Sequence, residues 1–98
     1  MRRMYIRLAQ GNVDPKRLDA YITDTRQRIA AAKEQTGLRH AYHAVNRELS
    51  RSVIIGIYDS EEQAPPAAGV NSESVQRLQR EFGLQPEGIV GFEVIDQI

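Results

Sequence analysis

The order strand, helix, strand, strand, helix, strand predicts an α+β fold, βαββαβ, in which a four-stranded antiparallel sheet carries two helices on one face. Three observations predict it. Residues 52–63, SVIIGIYDSEEQ, read as a strongly apolar strand running directly into a helix start. Residues 15–35 repeat apolar positions at helical spacing between an Asp-Pro start and a Gly stop. No linker, internal repeat or low-complexity tract interrupts the chain, so residues 1–98 are expected to form a single domain.

The first strand is expected over Arg3 to Gln10, where Met4, Ile6 and Leu8 alternate with Tyr5, Arg7 and Ala9, and Gly11 and Asn12 are expected to break it. Asp14 caps free amides, and Pro15 at the first helical position has no amide to lose. Leu18, Tyr21, Ile22, Thr25, Ile29 and Ala32 then form one buried stripe, ended by Gly37. The second strand spans Leu38 to Arg47, with Leu38, His40, Tyr42 and Ala44 on one face and Arg39, Ala41, His43 and Val45 on the other. A polar loop, Asn46 to Arg51, leads into the third strand, Val53 to Tyr58.

Ser60 and Gln63 have the spacing of a capping box, and Pro65 and Pro66 stop that helix early. AAGVNS is expected to be loop. Ser72 caps a second helical piece in which Val75, Leu78, Gln79 and Phe82 share a face, and Gly83 ends it. Pro86, Glu87 and Gly88 are expected to turn the chain into a final strand, IVGFEVIDQI.

Composition excludes several functions. Thirteen Lys and Arg balance thirteen Asp and Glu, so no global field favours nucleic acid or an anionic membrane. Cysteine is absent, which removes disulfides, thiolate metal sites and thiol nucleophiles and is compatible with a reducing cytoplasm, the expected location. The opening residues lack the apolar run and cleavage site of a signal peptide, and no stretch is long enough to span a bilayer. The strand-three sequence RSVIIGIYD lacks the aromatic motif of RNA-recognition domains, and no glycine-rich loop opens a helix to cradle phosphate.

With both helices on one face, the other face exposes Met4, Ile6 and Leu8 beside Val53, Ile55 and Ile57. An apolar surface of that kind calls for a covering sheet. The expectation is an obligate homodimer, sheet against sheet, with Ile6, Val53, Ile55 and Ile57 at the interface.

The helix entry VDPKRLDAYI, the passage TGLRHAY, the segment IYDSEEQA and the terminal FEVIDQ, in that order and spacing, resemble the antibiotic biosynthesis monooxygenase family of the dimeric α+β barrel superfamily. The resemblance runs over nearly the whole chain. It implies a ferredoxin-like monomer, a homodimer, and in each monomer a ligand cleft between sheet and helices. Some members are cofactor-free oxygenases of polycyclic aromatic compounds, some degrade haem, and many have no known activity. Tyr58 stands where many members carry tryptophan. Ala9 stands where haem-degrading members have asparagine, and residues 60–83 contain no histidine to ligate iron, so the haem reading is poor. The chain has no tryptophan for the aromatic shell of the cofactor-free oxygenases.

The candidate cleft collects Tyr5, Arg7, His40, Tyr42 and Tyr58 on the helix side, with Gly56 leaving room for a flat ligand. Arg7 or His40 would bind an oxygen anion or enolate while Tyr42 and Tyr58 hold an aromatic body. The competing reading makes the tyrosines half-buried core and Arg7 an ion-paired edge residue. His40 is a candidate general base, although no orienting carboxylate is visible. His40 and His43 point to opposite faces of a strand and cannot share a metal, and His43 is expected in the sheet-to-sheet interface or at its rim. No cofactor, metal, nucleic-acid or membrane partner is expected. Two functions stay open: a small-molecule-binding protein resembling a cofactor-independent monooxygenase of an aromatic or quinone-like compound, and a non-catalytic homodimeric domain with a structural or regulatory role.

Overall fold

The computed structural model describes residues 3–34, 37–64, 69 and 71–98. Four strands, β1 (Tyr5–Asn12), β2 (Leu38–Asn46), β3 (Arg51–Tyr58) and β4 (Gln85–Glu93), form one antiparallel sheet in the order β2-β3-β1-β4. Two helices, α1 (Leu18–Ala32) and α2 (Glu73–Phe82), follow β1 and β3, which is the predicted βαββαβ order.

The helix ends show why these segments fold where they do. Asp14 accepts a hydrogen bond from the Lys16 amide and opens a short 3-10 turn, Pro15–Arg17, ahead of α1. Ser72 accepts from the Val75 amide at the start of α2. Gly83 closes α2 in the left-handed region at φ 65°, donating its amide to Gln79. Leu18, Tyr21, Leu78, Phe82 and Val13 make the buried core, with Ile22, Val45 and Leu84 packed against it. The rings of Tyr21 and Phe82 meet edge to face at 5.6 Å. Gln79, expected on the buried face of α2, is exposed.

Ser60 forms no capping box. Only its backbone carbonyl accepts from the Gln63 amide, and its Oγ is buried without a partner among the described residues. The segment shortens to one 3-10 turn, Glu61–Gln63, ending before the prolines, which lie outside the described residues together with part of AAGVNS. Gly11 and Asn12 extend β1 instead of breaking it. Pro86, Glu87 and Gly88 also lie within a strand: the β1–β4 register slips between Ala9 and Gly11, and Gly88 sits at φ 94°. A bulge uses the same residues as a turn, and here it bends β4 without ending it. β4 stops at Glu93, short of the predicted end.

The β2–β3 hairpin turns over residues 47–50. The Asn46 side chain accepts from the Leu49 amide, and Ser50 takes up φ 49°. Ser50 is pinned there by two bonds to Val13, its carbonyl accepting from the Val13 amide and its hydroxyl donating to the Val13 carbonyl.

That tight turn sets a register that overturns the predicted facing of β2. Leu38 pairs with Tyr58, but after a bulge His40 pairs with Ile57, Tyr42 with Ile55 and His43 with Ile54. Beyond the bulge every side chain of β2 lies on the face opposite to the one an uninterrupted alternation from Leu38 assigns. His40 and Tyr42 therefore stand on the sheet face away from the helices, their rings stacked at 6.2 Å. His43 stands on the helix face, not at the sheet-to-sheet surface.

Candidate ligand cavity

Between the helix face of the sheet and the two helices lies a cavity of about 240 Å³. Small residues make it. On β1, Ala9 and Gly11 leave the floor low, flanked by Ile54 and Ser52 on β3 and by Ile89, Gly88 and Pro86 on β4. Leu78 and Val75 of α2 and Tyr21 of α1 form the opposite wall. A β-carbon at Gly11 would come within 2.6 Å of the Gln85 carbonyl oxygen, so the strands approach here only because that residue is glycine.

One group of polar side chains lies on the α1 side. His43 Nε2 lies 2.7 Å from Ser52 Oγ, and the His43 ring meets the edge of Tyr21 at 5.7 Å. The Arg28 guanidinium lies 5.5 Å from the Tyr21 ring centroid, a cation–π contact. Burial, and secondly the Arg28 charge, push the His43 imidazole below the ordinary histidine range, so it is neutral at pH 7. Neutral imidazole can accept the serine proton or donate to the serine oxygen, according to its tautomer.

Arg28 and Arg77 line the cavity, and the carboxylate of Asp24 ties them together. Arg28 Nε donates to Asp24 at 2.8 Å, and Arg77 from α2 donates to the same carboxylate at 3.1 and 3.2 Å. Arg28 also donates to Thr25 Oγ1 at 2.7 Å, and Arg77 to Glu81 at 2.6 Å. Burial works to raise the Asp24 pKa, but the bonds from Arg77 and Arg28 outweigh it and hold the carboxyl below its usual range.

The residues nominated from the sequence separate into two groups. Tyr5, Arg7 and Tyr58 lie on the helix face as expected, paired across β1 and β3. They do not line the cavity. Arg7 sits 5.9 Å from the Tyr5 ring, a β-carbon on Gly91 would fall on the Tyr5 hydroxyl, and Tyr58 is 8% exposed. The Tyr58 ring itself lies over Gly56, 3.1 Å from where a β-carbon would be, so the space expected there for a flat ligand is already covered. His40 and Tyr42, on the far face, are separated from this group by the sheet. The residues that do line the hollow, Ser52, Arg28 and Arg77, and His43 behind Ser52, were missed. The hairpin register was the available signal, because a four-residue turn over 47–50 places His43 across from Ile54, beside Ser52 on the helix face.

The opposite face is apolar and uncovered. Ile6, Leu8, Val53, Ile55 and Ile57 are only partly buried, and Tyr42, Val90 and Phe92 are about half exposed. Among the described residues no helix is long and apolar enough to cross a membrane.

No family model and no curated protein matches the chain. Solved structures do. A Nitrosomonas europaea protein provisionally named an antibiotic biosynthesis monooxygenase is 14% identical, with a TM-score of 0.64 over 96% of this chain and 90% of that one. A Bordetella bronchiseptica protein of the same provisional name is 13% identical, with a TM-score of 0.66 over 99% and 100%. The Rv0793 protein of Mycobacterium tuberculosis is 14% identical, with a TM-score of 0.69 over 96% and 97%. At these identities the likeness is one of fold, and the chain has the ferredoxin-like α+β fold of those proteins.

Proposed function

We propose that the protein binds a small, flat, largely apolar molecule, aromatic or quinone-like, in the helix-side cavity, and that it works as a homodimer. The observation that carries the binding reading is the cavity itself: about 240 Å³, apolar over most of its wall, with a few polar groups, Arg28, Arg77, Ser52 and Ser74 among them, set into it. The neighbours' names favour oxygenation as the chemistry, with dioxygen as oxidant and no cofactor held by the chain: a ring C–H position goes to a carbonyl, one oxygen atom entering the product and the other leaving as water, and the bound ring supplies all four electrons. The dimer reading rests on the uncovered sheet face, where Ile6, Val53, Ile55 and Ile57 would meet a second sheet. Tyr5, Arg7 and Tyr58 then line the far end of the same helix-side layer, as a wall the ligand touches if it is longer than the hollow. His40 and Tyr42 would sit in the dimer contact.

One observation favours the second reading, a non-catalytic dimeric domain: the Tyr58 ring fills the space beside Gly56, as a chain that packs its own cleft would do. A thermal-shift screen with flat phenols and quinones separates the two, since a ligand at 100 times its Kd adds about 2.7 kcal/mol. Stabilisation that Ala9→Phe abolishes supports the binding reading, and oxygen uptake with the same compounds supports the oxygenase reading. A screen with no shift from any compound favours the non-catalytic domain.

A further inference from the structure

The cavity is electrically one-sided. Its only charged lining residues among those described are Arg28 and Arg77, and no carboxylate faces it. Asp24 and Glu81 neutralise the two guanidiniums from behind, within the α1–α2 contact. The polar wall also includes Ser52, whose hydroxyl is backed by the neutral His43 imidazole. Two strands away, across β1, the wall is uncharged and mainly apolar: Ile89 and Pro86 of β4, with Leu84, Leu78 and Val75 closing over them and Ser74 beside Val75. A wholly apolar occupant would leave without acceptors those guanidinium N–H groups it covers that are not already given to Asp24, Thr25 or Glu81, among them Arg28 Nη1, a cost borne on every binding event. An occupant with an acceptor at one end would satisfy them.

Resting on the binding reading above, we infer that the ligand is an amphiphilic acid: a compact apolar body, about two fused rings, bearing one ionised carboxylate. The body lies over Ala9, Ile54 and Ile89, and the carboxylate meets Arg28 and Arg77 at the α1 side. Guanidinium donors paired with carboxylate are among the strongest hydrogen bonds a protein makes, and planar geometry gives them direction. Arg28 is restrained by three contacts, to Asp24, Thr25 and the Tyr21 ring, so little side-chain freedom is lost when an anion arrives.

Calorimetric titration of the intact protein with 2-naphthoate and its neutral isostere 2-naphthamide tests this. The naphthoate is expected to bind about tenfold more tightly or better. Arg28→Gln should reduce that ratio to near one. Arg77→Gln, measured in parallel, covers the case in which loss of Arg28 perturbs α1, and circular dichroism of each variant confirms its fold. Equal or tighter binding of naphthamide to the wild type overturns the acid inference and leaves the binding reading standing. A charge preference that survives in both folded variants also overturns it. Binding of neither probe, with no neutral flat compound binding either, overturns both.

Discussion

On the helix face of the sheet, His43 Nε2 lies 2.7 Å from the Ser52 hydroxyl, from neighbouring strands and behind the floor of the cavity. Because burial and the Arg28 charge hold the imidazole neutral, the unfolded chain takes up a proton at higher pH than the folded one. Stability is therefore full above the ordinary histidine value of about 6.5 and is lost as pH falls from there through the lower folded-state value. Asp14, Asp24 and Glu87, whose carboxyls are held low in the fold, add a separate loss that begins only below about pH 5. Urea titrations at pH 7.5, 6.5 and 5.5 should show falling stability, and His43→Gln should flatten that segment. An unchanged slope in the variant would mean that His43 is not the group responsible.

Asp24 joins α1 to α2 by accepting from both Arg28 and Arg77. Asp24→Asn removes the charge from both bonds and leaves two guanidiniums facing each other. A loss of about 1 to 2 kcal/mol is expected, at the lower end of charged hydrogen bonds because the site is partly solvated. Denaturant unfolding of the variant checks it, and a difference below 0.5 kcal/mol (roughly the scatter of neutral surface changes) would count against the clamp.

Gly11→Ala forces a β-carbon to within 2.6 Å of the Gln85 carbonyl, a backbone atom that can move only by shifting β4. The expected cost is about 1 to 3 kcal/mol, typical of overpacking. Since the strands would part at the cavity floor, ligand-induced stabilisation should fall in the same variant.

Ser60→Ala discriminates between a cap and a buried hydroxyl. A working capping serine would cost about 1 kcal/mol on replacement. With Oγ buried and making no cap bond, the substitution is expected to be neutral or slightly stabilising by thermal unfolding.

The homodimer makes its own prediction. Phe92 is about half exposed on the open face, so Phe92→Glu should fold as a monomer. Ile55→Asp, in the middle of that face, should dissociate the protein or unfold it. Sedimentation equilibrium reads both, and a wild type that is monomeric at low micromolar concentration would refute the dimer.

Much of the fold was legible in the sequence because its punctuation is local: Asp14-Pro15, Ser72 and Gly83 act within one helical turn. Strand facing was legible only where the alternation is unbroken. On β1 and β3 it correctly placed Tyr5, Arg7, Gly56 and Tyr58 on the helix side. On β2 one extra residue beside Arg39 inverted everything after it, which exchanged His40 and Tyr42 for His43. Bulges carry no signal of their own, and in β4 the residues Pro86 to Gly88 looked like the turn they resemble. The cavity was hidden for a different reason. Nothing in the spacing of Arg28 and Arg77 distinguishes them from solvated helix charges, and only the packing of α1 on α2 brings them to one wall.

The most direct measurement is an amide chemical-shift titration of the isotope-labelled protein with 2-naphthol. Occupation of the helix-side cavity should move Ala9, Gly11, Ser52, Ile54, Leu78 and Ile89 together, saturably and with one Kd. A saturating probe that leaves those amides in place, or that moves only His40, Tyr42 and Phe92 on the open face, would contradict it.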